Sequence, residues 1–164
     1  MDKGPGRYCY QVQACGSWGC TDSNIECVDV LWEHEDNDER GENESNGPLC
    51  SGTEYKGYPD DMRDWFRVYL NGGEQVTVRL QDHTGTDVWL SLYDLSSDSS
   101  TCSVYKPVPP SSFELPCTVG SAGWYYVRIY TGAGYNSNTA YRLLVTAQAL
   151  DRARIVRRLR LPVR

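Results

Sequence analysis

Between residues 64 and 147, five short runs alternate apolar with polar side chains, and this alternation limits the fold more than any other feature. In "DWFRVYL", Phe66, Val68 and Leu70 share one parity, and Trp65, Arg67 and Tyr69 share the other. "QVTVRL" repeats the pattern with Val76, Val78 and Leu80, and "TDVWLSLYD" with Val88, Leu90 and Leu92. "GWYYVRIY" does so with Tyr125, Val127 and Ile129, and "AYRLLVTA" with Tyr141, Leu143 and Val145. Successive side chains of a strand point to opposite faces, so each run has one apolar face to bury. A period near 3.6, the mark of a helix, is almost absent before residue 149. "NGGE" reads as a hairpin turn and "QDHTGTD" as an exposed hairpin tip. The expectation is an all-β chain: an antiparallel, jelly-roll-like β-sandwich preceded by a small Cys-rich segment. The divisions expected are residues 1–31 (Cys-rich), 32–148 (sandwich with an acidic linker) and 149–164 (a basic tail).

Seven cysteines in 164 residues point to an oxidising compartment. None forms CxxC, and the x5, x4 and x6 spacings of Cys9, Cys15, Cys20 and Cys27 make a poor zinc pattern. Disulfides are the better reading, and an odd count leaves one thiol over. Cys102 and Cys117 bracket a proline-rich stretch, "KPVPP", that rules out a central strand there. With their strands side by side, these two cysteines are expected to pair. No stretch is long and apolar enough to span a membrane. "MDKGPGRYC" lacks the apolar core of a signal peptide, so secretion implies a leader already removed or carried by a longer parent.

The net charge is −6, but "DRARIVRRLRLPVR" at the end holds six arginines and one aspartate, so residues 1–150 carry −11. An acidic body argues against nucleic-acid binding, which needs a basic face. Its densest part is "WEHEDNDERGENE", with seven carboxylates in thirteen residues, followed by "YPDDMRDWF" with Asp60, Asp61 and Asp64. Calcium takes six to eight oxygen ligands from carboxylates, amides and carbonyls. Glu33, Glu35, Asn37 and Asp38 alternate so that an extended segment points several oxygens one way, and Asp61 and Asp64 can approach from a turn. A solvated acidic linker is the alternative on spacing alone. No EF-hand pattern is present.

Catalytic signatures such as GxSxG, HExxH or a phosphate-binding glycine loop are missing. The histidines are His34 and His83. A small secreted hydrolase using His83 is the enzymatic alternative. The chain is rich in tyrosine and tryptophan, twelve and five against two phenylalanines, and such rings suit recognition surfaces. Trp65, Arg67, Tyr69, Trp89, Tyr93, Tyr126, Arg128 and Tyr130 share the outward parity and form one platform if their strands are neighbours. Ordinary cross-strand pairing is the competing explanation. The tail, with Leu150, Ala153, Ile155, Val156 and Leu159 at helical spacing, suits an acidic membrane surface, the acidic body, or a frayed end.

The stretch from "EHEDNDERGENESNGPLCSGTEYKGYPDDMRDWFRVYLNGGEQVTVRL" through "DVWLSLYD" to "GWYYVRIYTGAGYNSNTAYRLLVTA" resembles the bacterial pre-peptidase C-terminal domain, and within it the collagen-binding domain of clostridial collagenases. The shared features are the acidic E-x-E-x-N-D run, the D-x-x-D-aromatic approach to the first long strand, and a G-x-Y-Y strand followed by a Y-x-L-x-V strand. The resemblance covers about residues 33–147. It implies a non-catalytic, calcium-stabilised sandwich appended to a secreted enzyme, usually a protease, whose catalytic domain would be its partner. By matching position, the calcium ligands implied are Glu33, Glu35, Asn37, Asp38, Asp61 and Asp64, while Asp36 and Asp60 match no ligand position. It also implies contact with an extracellular polymer such as collagen through a sheet face. The candidates on that face are Trp65, Tyr93, Tyr126, Arg128 and Tyr130. Here the chain departs from the pattern, with Gly132 and Phe66 where the collagen-binding branch has tyrosines. A polysaccharide ligand or a purely structural spacer is the alternative.

Overall fold

The computed structural model describes residues 6–16, 19–23, 25–35, 37–41 and 45–149. The expectations for the basic tail beyond residue 149 and for Asp36 fall outside them. Two small antiparallel pairs come first: β1 (Gly6–Tyr10) with β4 (Glu26–Val30), and β2 (Gln13–Gly16) with β3 (Gly19–Asp22). A Cys15–Cys20 disulfide closes the second pair. The rest is β5 (Asn46–Leu49), β6 (Glu54–Gly57), β7 (Arg63–Leu70), β8 (Glu74–Gln81), β9 (Val88–Asp94), β10 (Cys102–Lys106), β11 (Ser112–Thr118), β12 (Gly123–Tyr130) and β13 (Tyr141–Ala149). These nine build two sheets, ordered β10-β9-β12-β7-β5 and β11-β8-β13-β6. Among them β5 and β7 run parallel, and the other pairs are antiparallel. The fold is a β-sandwich.

The alternating residues meet between the sheets. Phe66, Val68, Leu70, Leu90, Leu92, Val127 and Ile129 from one sheet face Val76, Val78, Leu80, Leu115, Leu143 and Val145 from the other, all buried. Each such side chain contributes about 1.5–3 kcal/mol relative to leaving it in water.

Parity is as the sequence implies, but two connections differ. "NGGE" does not join a hairpin: β7 and β8 lie in opposite sheets, and the turn carries the chain across the sandwich. "QDHTGTD" also crosses between sheets, from β8 to β9. Strands that are apolar on one face bury it equally well against a partner or across a sandwich, so alternation does not say which.

Cys102 and Cys117 are bonded to each other, with Cα atoms 6.0 Å apart. Their strands are not side by side. β10 and β11 are edge strands of different sheets, so the bond ties the two layers together. Pro116 sits in β11, which only an edge strand tolerates well. The two cysteines are 15 residues apart. Replacing both with serine is expected to lower stability by about 3 kcal/mol, as for a loop of that length, and urea denaturation measures it. Cys9 is disulfide-bonded, and Cys50 is a free thiol. Among the described residues no helix is long and apolar enough to cross a membrane.

Candidate metal centre

The acidic run is a strap tied across one end of the sandwich. It starts beside β6, the edge of the four-stranded sheet, where Lys56 N donates to Leu31 O (2.7 Å) and Glu33 N to Lys56 O (2.9 Å). Trp32 anchors this start, stacked on Tyr58 with Lys56 Nζ over its ring. The strap then reaches the other sheet. His34 N donates to Asn46 Oδ1 (3.0 Å), and Trp65 N donates to Asn37 O (3.0 Å). Further on, Arg40 bonds Ser97 O and Asp98, and its guanidinium lies 5.7 Å from the Tyr93 ring centre.

Carboxylates converge beneath the strap. One oxygen from each of Glu33, Glu35, Asp60 and Asp64 lies within 4.8 Å of the others. Asp64 stands on the inward parity of β7, opposite Ile129, at the rim of the core. Glu33 accepts from the Tyr141 hydroxyl (2.6 Å) and from Tyr58 N–H. Gly57 makes room for it, because a Cβ there would run into the Glu33 carboxylate and the Tyr141 hydroxyl. Asp61 accepts from Arg63 N–H (2.8 Å), an Asx turn that turns its side chain toward Asp38.

This arrangement is costly without a cation. Burial pushes Glu33 up to about 8 against its two hydrogen bonds, and the charges of Glu35 and Asp60 add to it. Burial, then Asp38, raises Asp61 to about 6. Asp64 is held well above the usual carboxylate range by burial and by the charges of Glu33, Asp61 and Glu35. Burial, then the charges of Asp64 and Glu33, push Tyr141 upward. Asn37 and Asp64 are each only 1% exposed, yet both amide atoms of Asn37 and Asp64 Oδ1 lack a hydrogen-bond partner. A buried polar atom left unpaired costs about 1–3 kcal/mol. Hard oxygen donors, several of them anionic and some unsatisfied, fit a divalent cation such as calcium.

Of the six residues named from sequence, Glu33, Glu35 and Asp64 meet. Asp38 and Asp61 meet each other alongside, and Asn37 is buried with its amide open. Asp60, which matched no ligand position, joins the cluster. The turn closed by Asp61 and Arg63 N–H leads from these aspartates into β7, as expected of an approach from a turn.

The aromatic face needs a larger correction. Trp65, Tyr93 and Tyr126 do point outward, but they form a second buried cluster, with Tyr126 only 3% exposed. Arg128 lies over Trp65 and Tyr93, and Arg40 of the strap covers Tyr93 from outside. Only Arg128 and Tyr130 of the five remain partly open. His83 is not at an exposed tip. It is buried, stacked on Tyr141, with Nδ1 accepting from Gly85 N–H (3.2 Å) and Nε2 facing Thr131 Oγ1 (3.1 Å). Burial lowers it to about 4, so it stays neutral.

No family model matches the sequence, and no curated protein matches it either. Among solved structures, the chain is similar to the pre-peptidase C-terminal domain of collagenase from Bacillus anthracis. They share 17% identity over 58% of this chain and 90% of that one, with a TM-score of 0.46. It is also similar to PliG of Aeromonas hydrophila, a periplasmic lysozyme inhibitor of g-type lysozyme. That match has 12% identity, covers 58% and 82% of the two chains and has a TM-score of 0.33. Neither likeness bears on what this chain binds.

Proposed function

We propose that the chain is a non-catalytic accessory module of a secreted bacterial protein, pinned by calcium, with one sheet face that contacts an extracellular polymer. The observation that supports it best is the pairing of four converging carboxylates with buried, unpartnered oxygen and amide atoms of Asp64 and Asn37. Glu33, Glu35, Asp60 and Asp64 would hold the ion, with Asn37, Asp38 and Asp61 at its flank. The ion supplies charge neutralisation, not a reaction. Its effect is mechanical: it fastens residues 31–41 to both sheets and so sets how whatever precedes the strap is held. Appended to a secreted enzyme, such a clamp fixes the angle of the catalytic domain. The hydrolase reading has less support, since His83 is buried, its Nδ1 already accepts from Gly85 N–H, and burial lowers its basicity.

Extracellular modules commonly bind calcium with dissociation constants of about 0.1–1 mM. A few millimolar calcium then adds about 1–2 kcal/mol. Limited proteolysis tests the clamp. Residues 33–44 are expected to resist cleavage in calcium and to be cut first in chelator. Equal cleavage rates in both conditions, on protein stripped of metal beforehand, would remove the proposal.

A further inference from the structure

The strap covers only part of the outer face of the five-stranded sheet, and a row of rings stays open beside it. Tyr105 on β10 stands opposite Trp89 on β9, Trp89 opposite Tyr130 on β12, and Tyr130 opposite Arg63 on β7. Directly paired residues project to the same side, so these four side chains line one row across four strands. Trp89 and Tyr105 are each 41% exposed, with ring centres 4.8 Å apart and planes 33° from parallel. The Tyr105 hydroxyl donates to Asp87 (2.6 Å), which fixes that ring. Arg63, Trp89, Arg128 and Tyr130 line a shallow depression of about 350 Å³. The Arg128 guanidinium lies 5.8 Å from the Tyr130 ring centre; its Nε is buried without a hydrogen-bond partner, and the side chain as a whole is partly exposed.

The chemistry of the row names its ligand. Flat rings with polar tips stack against the C–H faces of sugar rings. Guanidinium groups beside them match a carboxylate with paired, charge-assisted hydrogen bonds. A row running across the sheet suits a polymer better than a small molecule. We propose that Tyr105, Trp89 and Tyr130, flanked by Arg63 and Arg128, bind a polysaccharide that carries carboxylate groups, a polyuronate. Sugar faces lie on the rings and carboxylates pair with the arginines. This deepens the polymer contact proposed above and is independent of the calcium clamp.

Native electrophoresis of the full chain through gels containing polygalacturonate, hyaluronate or hydroxyethyl cellulose tests it, run in chelator to keep the polyuronate from gelling. The uronate polymers are expected to retard the protein, and hydroxyethyl cellulose is not. Trp89→Ala and Arg63→Gln, both at exposed positions, are each expected to weaken retardation by about tenfold, the size of one lost charge-assisted or stacking contact. Tyr69→Ala, on the same face but away from the row, is expected to leave it unchanged. No retardation by either uronate, equal retardation by the neutral polymer, or indifference to Arg63→Gln would overturn the proposal. So would capture by a triple-helical collagen peptide with no response to polyuronate. The melting temperature of the same protein with and without calcium is scored separately. Retardation without a calcium shift would remove the clamp and leave this surface standing.

Discussion

In chelator, the melting temperature is expected to fall as the pH rises from about 5 to 8, and in millimolar calcium that fall is expected to flatten or reverse. Glu33, Asp61 and Asp64 all titrate higher in the folded protein than in the unfolded chain. His83, lowered by burial to about 4, works the other way below about 6.5, but it is one group against three, so the folded state holds more protons than the unfolded state across this window and stability declines as pH increases. The decline begins above ordinary carboxylate values, near 4. It runs through about 6 for Asp61 and about 8 for Glu33. Calcium competes with those protons. It binds the ionised acids, so its contribution grows over the same interval in which the metal-free protein weakens. The gap between the two melting curves is expected to be small near pH 5 and about 2–8 °C near pH 8, taking about 1–2 kcal/mol for a chain of this length. Calorimetry at four or five pH values measures it. Parallel curves with a constant offset would mean that the ion sits elsewhere.

Much of this molecule can be read from its letters, and the unreadable parts share a cause. Inward parity is correct for all five alternating runs, because burying one face of a strand leaves an unambiguous period of two. Pairing is not encoded in that period, which is why the link between β7 and β8 crosses the sandwich instead of folding into a hairpin. β11 escaped notice although Phe113, Leu115 and Cys117 alternate, because Pro116 interrupts the pattern and an edge strand excuses it. The same limit governs the aromatic face. Parity assigns Trp65, Tyr93 and Tyr126 to the outside of their sheet but says nothing of what lies over them. Arg128 lies over Trp65 and Tyr93, and Tyr93 is also covered by Arg40, on a strap whose path depends on bonds from His34 to Asn46 and from Trp65 to Asn37. For the acidic site, charge density and oxygen-rich spacing located both halves. Asp60 was missed because its place depends on a turn, and composition does not fix the direction of a turn.

Asp64→Asn is expected to change the sign of its effect with calcium. Asparagine keeps the size and shape of the side chain, so packing at the rim of the core survives, while an acid that must take up a proton to sit beside Glu33, Asp61 and Glu35 is replaced by a neutral amide. In chelator near neutral pH the variant is expected to melt above the parent, because folding no longer has to protonate this position. In calcium it is expected to melt below the parent, because a central anionic ligand is missing and the gain of about 1–2 kcal/mol from the ion goes with it. Asp60→Asn, at the exposed margin of the same cluster, separates the two effects. It is expected to reduce the calcium gain while leaving the metal-free melting temperature nearly unchanged, since an exposed charge there is already screened by water. A loss of stability for Asp64→Asn that is the same in calcium and in chelator would instead make Asp64 a structural partner of the Tyr141 hydroxyl. The converging carboxylates would then have to be explained without a metal.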